Sequence, residues 1–230
     1  DVRFIMIDPK RTELSIYKGI PHLLLDDIIY DADKAIKALQ WSIDEMQRRI
    51  DFFNKNGYRD IEEYNACKLQ DDFIPMPRII IIIDELAELM DRGSKTVENC
   101  IDRLARLARA VGIHLICATQ RPSVDVVSGT IKNNLPSRIA FRVPTQGDSR
   151  TVLGVGGAEN LLGDGDLLYM NPKMKSSVRV QGAFIDTPEV KAVVDFLKEH
   201  NTCIYDSKIK DEIYKEEEKE EPRTADKKLH

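Results

Sequence analysis

The sequence predicts an α/β domain with a mainly parallel sheet flanked by helices. Three observations predict it. Short apolar runs alternate with stretches of helical periodicity. The most apolar run, Arg78 to Ile83 (RIIIII), holds five isoleucines, far short of the about twenty residues needed to cross a bilayer, and suits a strand buried on both faces. The chain of 230 residues, 42% hydrophobic and 32% charged, has the composition of a globular domain in water.

The elements follow in order. RFIMID (3–8) reads as a buried strand. A long helix is predicted over 31–54, where Ile36, Leu39, Ile43, Met46, Ile50 and Phe53 recur three and four apart and form one stripe. RIIIII is the second strand. Residues 85–90 and 97–110 read as two helical stretches, the latter with Ile101, Leu104, Ala105 and Ala108 on one face. GIHLICAT (112–119) is a third strand, and SRIAFRV, DLLYM and SVRVQGAF supply three more. The last two, joined by an Asn-Pro turn at 171–172, predict an antiparallel hairpin at the sheet edge. A final helix is expected over 187–198, with Thr187 as N-cap and Pro188 at its first position. These elements make one domain over 1–200. From 201 onward sixteen of thirty residues are charged, with KEEEKEEP at the centre, which predicts a solvated linker or tail over 201–230.

Cys67, Cys100, Cys117 and Cys203 lie far apart without a CxxC pair, an arrangement of reduced thiols rather than a zinc site or disulfide framework. The first residues read as a strand and not as a signal peptide. Net charge is −5, yet residues 103–150 carry eight Arg or Lys against two acids. That asymmetry suggests an anionic partner, phosphate or nucleic acid. Each of these cations taken singly is better explained by snorkelling or a surface ion pair.

Two acids, Asp84 and Glu85, end the isoleucine run. They are explained either as ordinary turn residues or as a nucleotide site. In open parallel sheets ligands sit beyond the carboxyl ends of the strands. An Asp there can hold magnesium bound to phosphates, and a neighbouring acid can orient water. ATQRPS (118–123) ends the third strand, where Gln120 can meet a γ-phosphate or hold the attacking water and Arg121 would point away. The alternative is a polar loop stiffened by Pro122. The pair of strand ends suggests a RecA-like ATPase. No phosphate-binding loop of the form GxxxxGK[ST] is present. The glycines of LGVGGAENLLGDGD have no lysine among them, and RGSKT (92–96) lacks the second glycine and lies between helices.

RFIMIDPKRTELSIYKGIPHLL, IIIIIDELAELM, RLARAVGIHLICATQRPSVDVVSGTIKNNLPSRIAFRV, DSRTVLG, GAENLLGDGDLLYM and VRVQGAF together resemble the motor domain of the FtsK/SpoIIIE DNA translocases over residues 1–200. The resemblance implies a RecA-like P-loop NTPase core that is N-terminally truncated, because the family's phosphate loop lies just before the segment matching Asp1. It implies ATP and Mg2+ as cofactors. Asp84 matches the metal-binding Walker B aspartate, acting through water, and Glu85 the catalytic acid. Gln120 matches the γ-phosphate sensor, and Arg109, or else Arg106, the arginine finger offered to a neighbouring subunit. Arg121, Lys132 and Arg150 fall where the family touches the DNA backbone. Gln146 stands where the family has a basic residue.

The implied whole is an ATP-driven homo-hexameric pump of double-stranded DNA in chromosome segregation and cell division, at the cytoplasmic face of the bacterial inner membrane. Its membrane anchor, and any recombinase or division partners, would involve segments outside these residues. Two other readings stand beside it. One is a non-catalytic module that binds DNA or joins rings. The other is a related ring ATPase of secretion or conjugation, which ATQRPSVDVVSG and LLGDGDLLY disfavour.

Overall fold

The structure, a computed structural model, describes residues 2–67, 73–202 and 204–214. Its first layer is a parallel sheet of β1 (Val2–Ile7), β2 (Arg78–Ile83) and β3 (Ile113–Cys117), in the order β1-β2-β3. The register pairs Ile7 with Ile83 and Ile83 with Cys117, so all three strands end level. The connections are helical, as parallel pairing requires.

α1 (Ala32–Asn56) begins at Asp31, whose carboxylate accepts from the Lys34 amide, and ends at the left-handed Gly57. The expected stripe faces the core. Leu39, Ile43, Met46 and Phe53 are buried, and Ile36 and Ile50 pack on their flank. Short α2 (Ile61–Ala66) follows, capped by Asp60. The two predicted helical stretches between β2 and β3 prove to be one kinked helix, α3 (Leu86–Leu107), broken locally at Gly93. A side chain at Gly93 would meet Ile36 of α1 at 3.2 Å, so the break lies where the two helices press together. Gly112 turns the chain into β3 at φ +76°, a conformation that disfavours side chains.

Burial on β2 alternates: Ile79, Ile81 and Ile83 are buried, whereas Ile80 and Ile82 are half-covered. The expectation of a strand buried on both faces therefore fails on one face. That face carries only a small cluster of Met6, Ile20, Leu23, Ile28 and Val194, against which Ile82 packs. β3 is paired on one side only among the described residues, and its Ile116 is 52% exposed.

The second layer departs from the expected edge hairpin in placement. The hairpin of β5 (Asp166–Met170) and β6 (Val178–Gln181) is antiparallel as predicted, but it pairs with β4 (Arg138–Phe141) in a sheet of its own. Two helices that periodicity did not mark lead into and through this region. They are α4 (Gly129–Asn134), capped by Ser128, and α5 (Gln146–Leu153), opened by a Thr145/Asp148 capping box. The glycines after α5 serve turns. Gly154 closes α5 at φ 81°, and a side chain at Gly165 would meet the Gly182 carbonyl at 3.1 Å.

α6 (Thr187–His200) is capped one residue earlier than predicted, because Asp186 and not Thr187 accepts from the N3 amide and Glu189 answers it. Part of the expected solvated tail, residues 207–214, is helical. α7 (Ser207–Tyr214) packs on α1, with Ile213 1% exposed in the main core and Lys210 paired to Asp26 at 2.6 Å. The KEEEKEEP run and Cys203 lie outside the described residues. Cys67, Cys100 and Cys117 are free thiols. Among the described residues no helix is long and apolar enough to cross a membrane, and no cluster of three or more His, Cys, Asp or Glu could by itself hold a metal.

Candidate nucleotide site

The level ends of β1, β2 and β3 place Asp8, Asp84 and the Ala118–Gln120 turn side by side. The ladder continues one step past the strands: the Asp84 amide donates to the Ile7 carbonyl at 3.0 Å and the Ala118 amide to the Ile83 carbonyl at 2.8 Å. This is the crevice position where open α/β sheets bind ligands.

Glu85 is the most constrained group there. It is the N-cap of α3 and is 1% exposed. Its Oε1 accepts from the Thr119 hydroxyl at 2.5 Å, the Gln120 amide at 3.3 Å and the Ala87 amide at 3.3 Å. Its Oε2 accepts from the Gln120 amide at 3.2 Å and from the Lys10 ammonium at 2.9 Å. Burial by itself pushes the Glu85 carboxyl up. The bonds from Thr119, Lys10 and the Gln120 and Ala87 amides outweigh it and hold the group below the usual carboxylate range. Glu85 is thus a charged base held in one orientation.

Asp84 has the opposite environment. It is half-buried, and burial first, then the charges of Asp8, Glu13 and Glu85, push its carboxyl up. Asp8 is fully buried. Its Oδ2 accepts from the Glu13 and Leu14 amides at 3.2 and 3.0 Å, while its Oδ1 is buried without a partner. Neighbouring strand exits therefore gather more negative charge than Lys10 offsets. This fits a hydrated divalent cation, held by one or two carboxylates with phosphate oxygens and water completing its shell.

The remaining predicted residues divide. Gln120 joins the site through its backbone, and its exposed side chain stands at the exit of β3. Arg109 lies at the other end of β3, roughly 16 Å away along five residues of strand, and so cannot meet Glu85 of the same chain. Among the described residues it forms no ion pair, whereas Arg106 is bound to Asp102 at 2.8 Å. Arg121 is not simply turned outward: its guanidinium donates to Asp91 of α3 at 2.6 Å.

Arg138 ties α4, which carries Lys132, to α5, which carries Arg150. Its guanidinium donates to the Lys132 carbonyl at 2.7 Å and the Val152 carbonyl at 3.4 Å. Gln146, at the start of α5, is exposed. Of the eight cations in 103–150, Arg106 and Arg121 form salt bridges, and Arg103, Arg109, Lys132, Arg138, Arg142 and Arg150 form none among the described residues.

Sequence reasoning missed Lys10, Thr119 and Arg138. The signal for Thr119 was its place directly before Gln120 at a strand exit. Lys10 had none beyond following Asp8.

The family model described as FtsK/SpoIIIE matches residues 1–124. The chain belongs to the FtsK/SpoIIIE family. Within that family, the DNA translocase FtsK of Staphylococcus epidermidis (strain ATCC 35984) is 48% identical over 211 residues, covering 89% of this chain and 26% of that protein. The DNA translocase FtsK of Streptococcus pyogenes serotype M1 is 50% identical over 212 residues, with the same coverage of 89% and 26%. The chain thus spans about a quarter of the length of these relatives.

Among solved structures, the pCW3 conjugation coupling protein TcpA, in monomer form with ATPγS, is similar at a TM-score of 0.70 and 30% identity. That match covers 86% of this chain and 56% of that one. The type VII secretion ATPase EccC of Thermomonospora curvata gives a TM-score of 0.75 at 24% identity, covering 88% and 25%, a likeness of fold alone. The RecA-like P-loop NTPase fold implied by the sequence is the fold of these neighbours.

Proposed function

We propose that these residues are the hydrolytic half of an ATP-driven, hexameric double-stranded DNA translocase. One observation carries this reading. At the level exit of three parallel strands, Thr119, Lys10 and the Ala87 and Gln120 amides fix the Glu85 carboxylate in one orientation beside half-buried Asp84.

In this reading Asp84 holds Mg2+ through water, and Glu85 accepts the proton of the attacking water or aligns it. The Gln120 side chain senses the γ-phosphate. Magnesium, when bound with the nucleotide, neutralises charge on the phosphate oxygens. The phosphate-gripping loop comes from a segment outside these residues, and the unpaired edge of β3 is where a further parallel strand can join. Arg109, too far to act within its own chain, reaches a neighbouring subunit's nucleotide, which supports a ring with sites between subunits. A trans arginine of this kind is worth about 10³–10⁵ in rate in GTPases.

Lys132, Arg150 and Arg121 grip the DNA backbone, Arg121 after exchanging Asp91 for phosphate. Phosphate contact without base readout suits a motor that moves along any sequence. In the complete protein the site works at the cytoplasmic face of the inner membrane, in chromosome segregation and division.

The test is Glu85→Gln in the full-length protein. ATP should bind with ordinary affinity while DNA-stimulated turnover falls by about 10²–10⁴, the scale of a lost general base. Turnover at the normal rate would remove Glu85 from the mechanism.

A further inference from the structure

Granting that Glu85 handles the attacking water, its surroundings pose a difficulty. Both carboxylate oxygens are already engaged. Oε1 is filled by the Thr119 hydroxyl and two backbone amides, and these are fixed by the β3 exit and the first turn of α3. Oε2 is shared by the Gln120 amide and Lys10. With the side chain 2% exposed, water has no approach while all these donors stay. One of them must leave before Glu85 can act, and they are not equally able to. Two are backbone groups. Thr119 is a short side chain at a strand end, with its hydroxyl also accepting from the Arg121 amide at 3.1 Å.

Lys10 differs in every respect. It is a long, unbranched chain and is 34% exposed. It comes from the segment after β1 rather than from the elements that build Glu85. That segment is held at its root by the buried Asp8, which accepts from the Glu13 and Leu14 amides, and it bends through Arg11 at φ 59°. Asp84 and Glu88 also attract the ammonium, so it has other acceptors close by when it leaves Glu85.

We propose that Lys10 is a positioning residue that occupies Oε2 of Glu85 in the resting site, withholds the base from water, and is drawn off toward the nucleotide's terminal phosphate only once the subunit has also closed on DNA. Lys10 acts through Glu85 and takes no part in bond breaking. Its consequence is economy: a subunit that has not closed on nucleotide and track holds its base out of use, so DNA-free hydrolysis stays low.

The experiment measures ATP turnover of the full-length protein with and without double-stranded DNA, for Lys10→Met, Lys10→Arg, Glu85→Gln and the Lys10→Met/Glu85→Gln double variant. Removing the ammonium should raise DNA-free turnover about fivefold, the upper scale of a partly exposed charge pair, while DNA-saturated turnover changes little. Arginine, which keeps the charge, should restore the low basal rate. The double variant should be as inactive as Glu85→Gln.

A merely structural pair would behave differently, lowering both rates together along with the melting temperature. Unchanged or reduced DNA-free turnover in Lys10→Met therefore overturns the inference. If that variant does not fold, Lys10→Gln is read by the same criteria. A Glu85→Gln protein that still hydrolyses would instead overturn the role of Glu85 itself. An inactive Glu85→Gln beside an unaltered Lys10→Met would sink only the inference about Lys10.

Discussion

The two sheets of this chain are built on different terms. In the parallel sheet, Ile5, Ile7, Ile79, Ile81 and Ile83 are sealed under α1 and α3. In the antiparallel sheet, β6 is exposed along its whole length and β4 buries only Ala140. Ile139 and Phe141 stand 54% and 57% exposed. The first sheet ends at Glu85, held by Thr119, Lys10 and two backbone amides. The second is tied by a bidentate pair, Arg179 to Asp166 at 2.9 and 2.7 Å. A site that must hold a buried carboxylate in one orientation needs the stiffer support, and it sits on the sheet that has it.

That contrast can be broken most directly at its stiff end. Ile81→Ala removes a fully buried side chain from the centre of the parallel sheet and should lower stability by about 2–5 kcal/mol in a denaturant melt of the complete motor. A loss under 1 kcal/mol would mean that the parallel sheet is no better packed than its partner.

The next effect belongs to the antiparallel sheet and depends on pH. Arg179, with the Leu162 amide, holds the Asp166 carboxyl down from its ordinary 3.8 to about 2. A depressed acid stabilises the fold above its unfolded value, so this contribution should be whole above pH 3.8 and lost as pH falls toward about 2. Asp166→Asn should flatten that limb of the stability curve and lower the melting temperature at neutral pH.

Asp84 sharpens the comparison with the opposite sign. Its carboxyl is pushed up by burial and by Asp8, Glu13 and Glu85. A raised acid weakens the fold once it ionises, so stability is lost as pH rises through its titration. Asp84→Asn should therefore raise the neutral-pH melting temperature modestly while abolishing magnesium-dependent turnover, a separation visible by calorimetry beside an ATPase assay. The smallest effect should come from Ile139→Ser, within about 0.5 kcal/mol, because the side chain already faces solvent.

Much of the stiff region was legible before any coordinates. The 3–4 spacing of α1 and the isoleucine run of β2 are patterns that core burial imposes directly, and the acids at the exit of β2 mark the site. What surrounds Glu85 was not legible. Thr119 and Lys10 reach it across 34 and 75 residues, through one contact each, and both are common residue types. The kink that joins two helical stretches into α3 depends on Gly93 meeting Ile36 of another helix, which no local pattern announces. α7 was hidden by composition. Its charged residues mask the i, i+4 pair Ile209 and Ile213, and two anchors are too few to register as a stripe. The antiparallel sheet gave up its hairpin readily, but its separation from the first sheet is a tertiary fact.

The docking of α7 also moves an anchor point. With Ile213 sunk beneath the surface and Lys210 and Tyr214 fastened to Asp26 and Lys34, whatever the chain carries after Tyr214 is tethered at the flank of α1 rather than at Asn201. Measured as extended backbone, that shifts the point of departure by roughly 45 Å of chain.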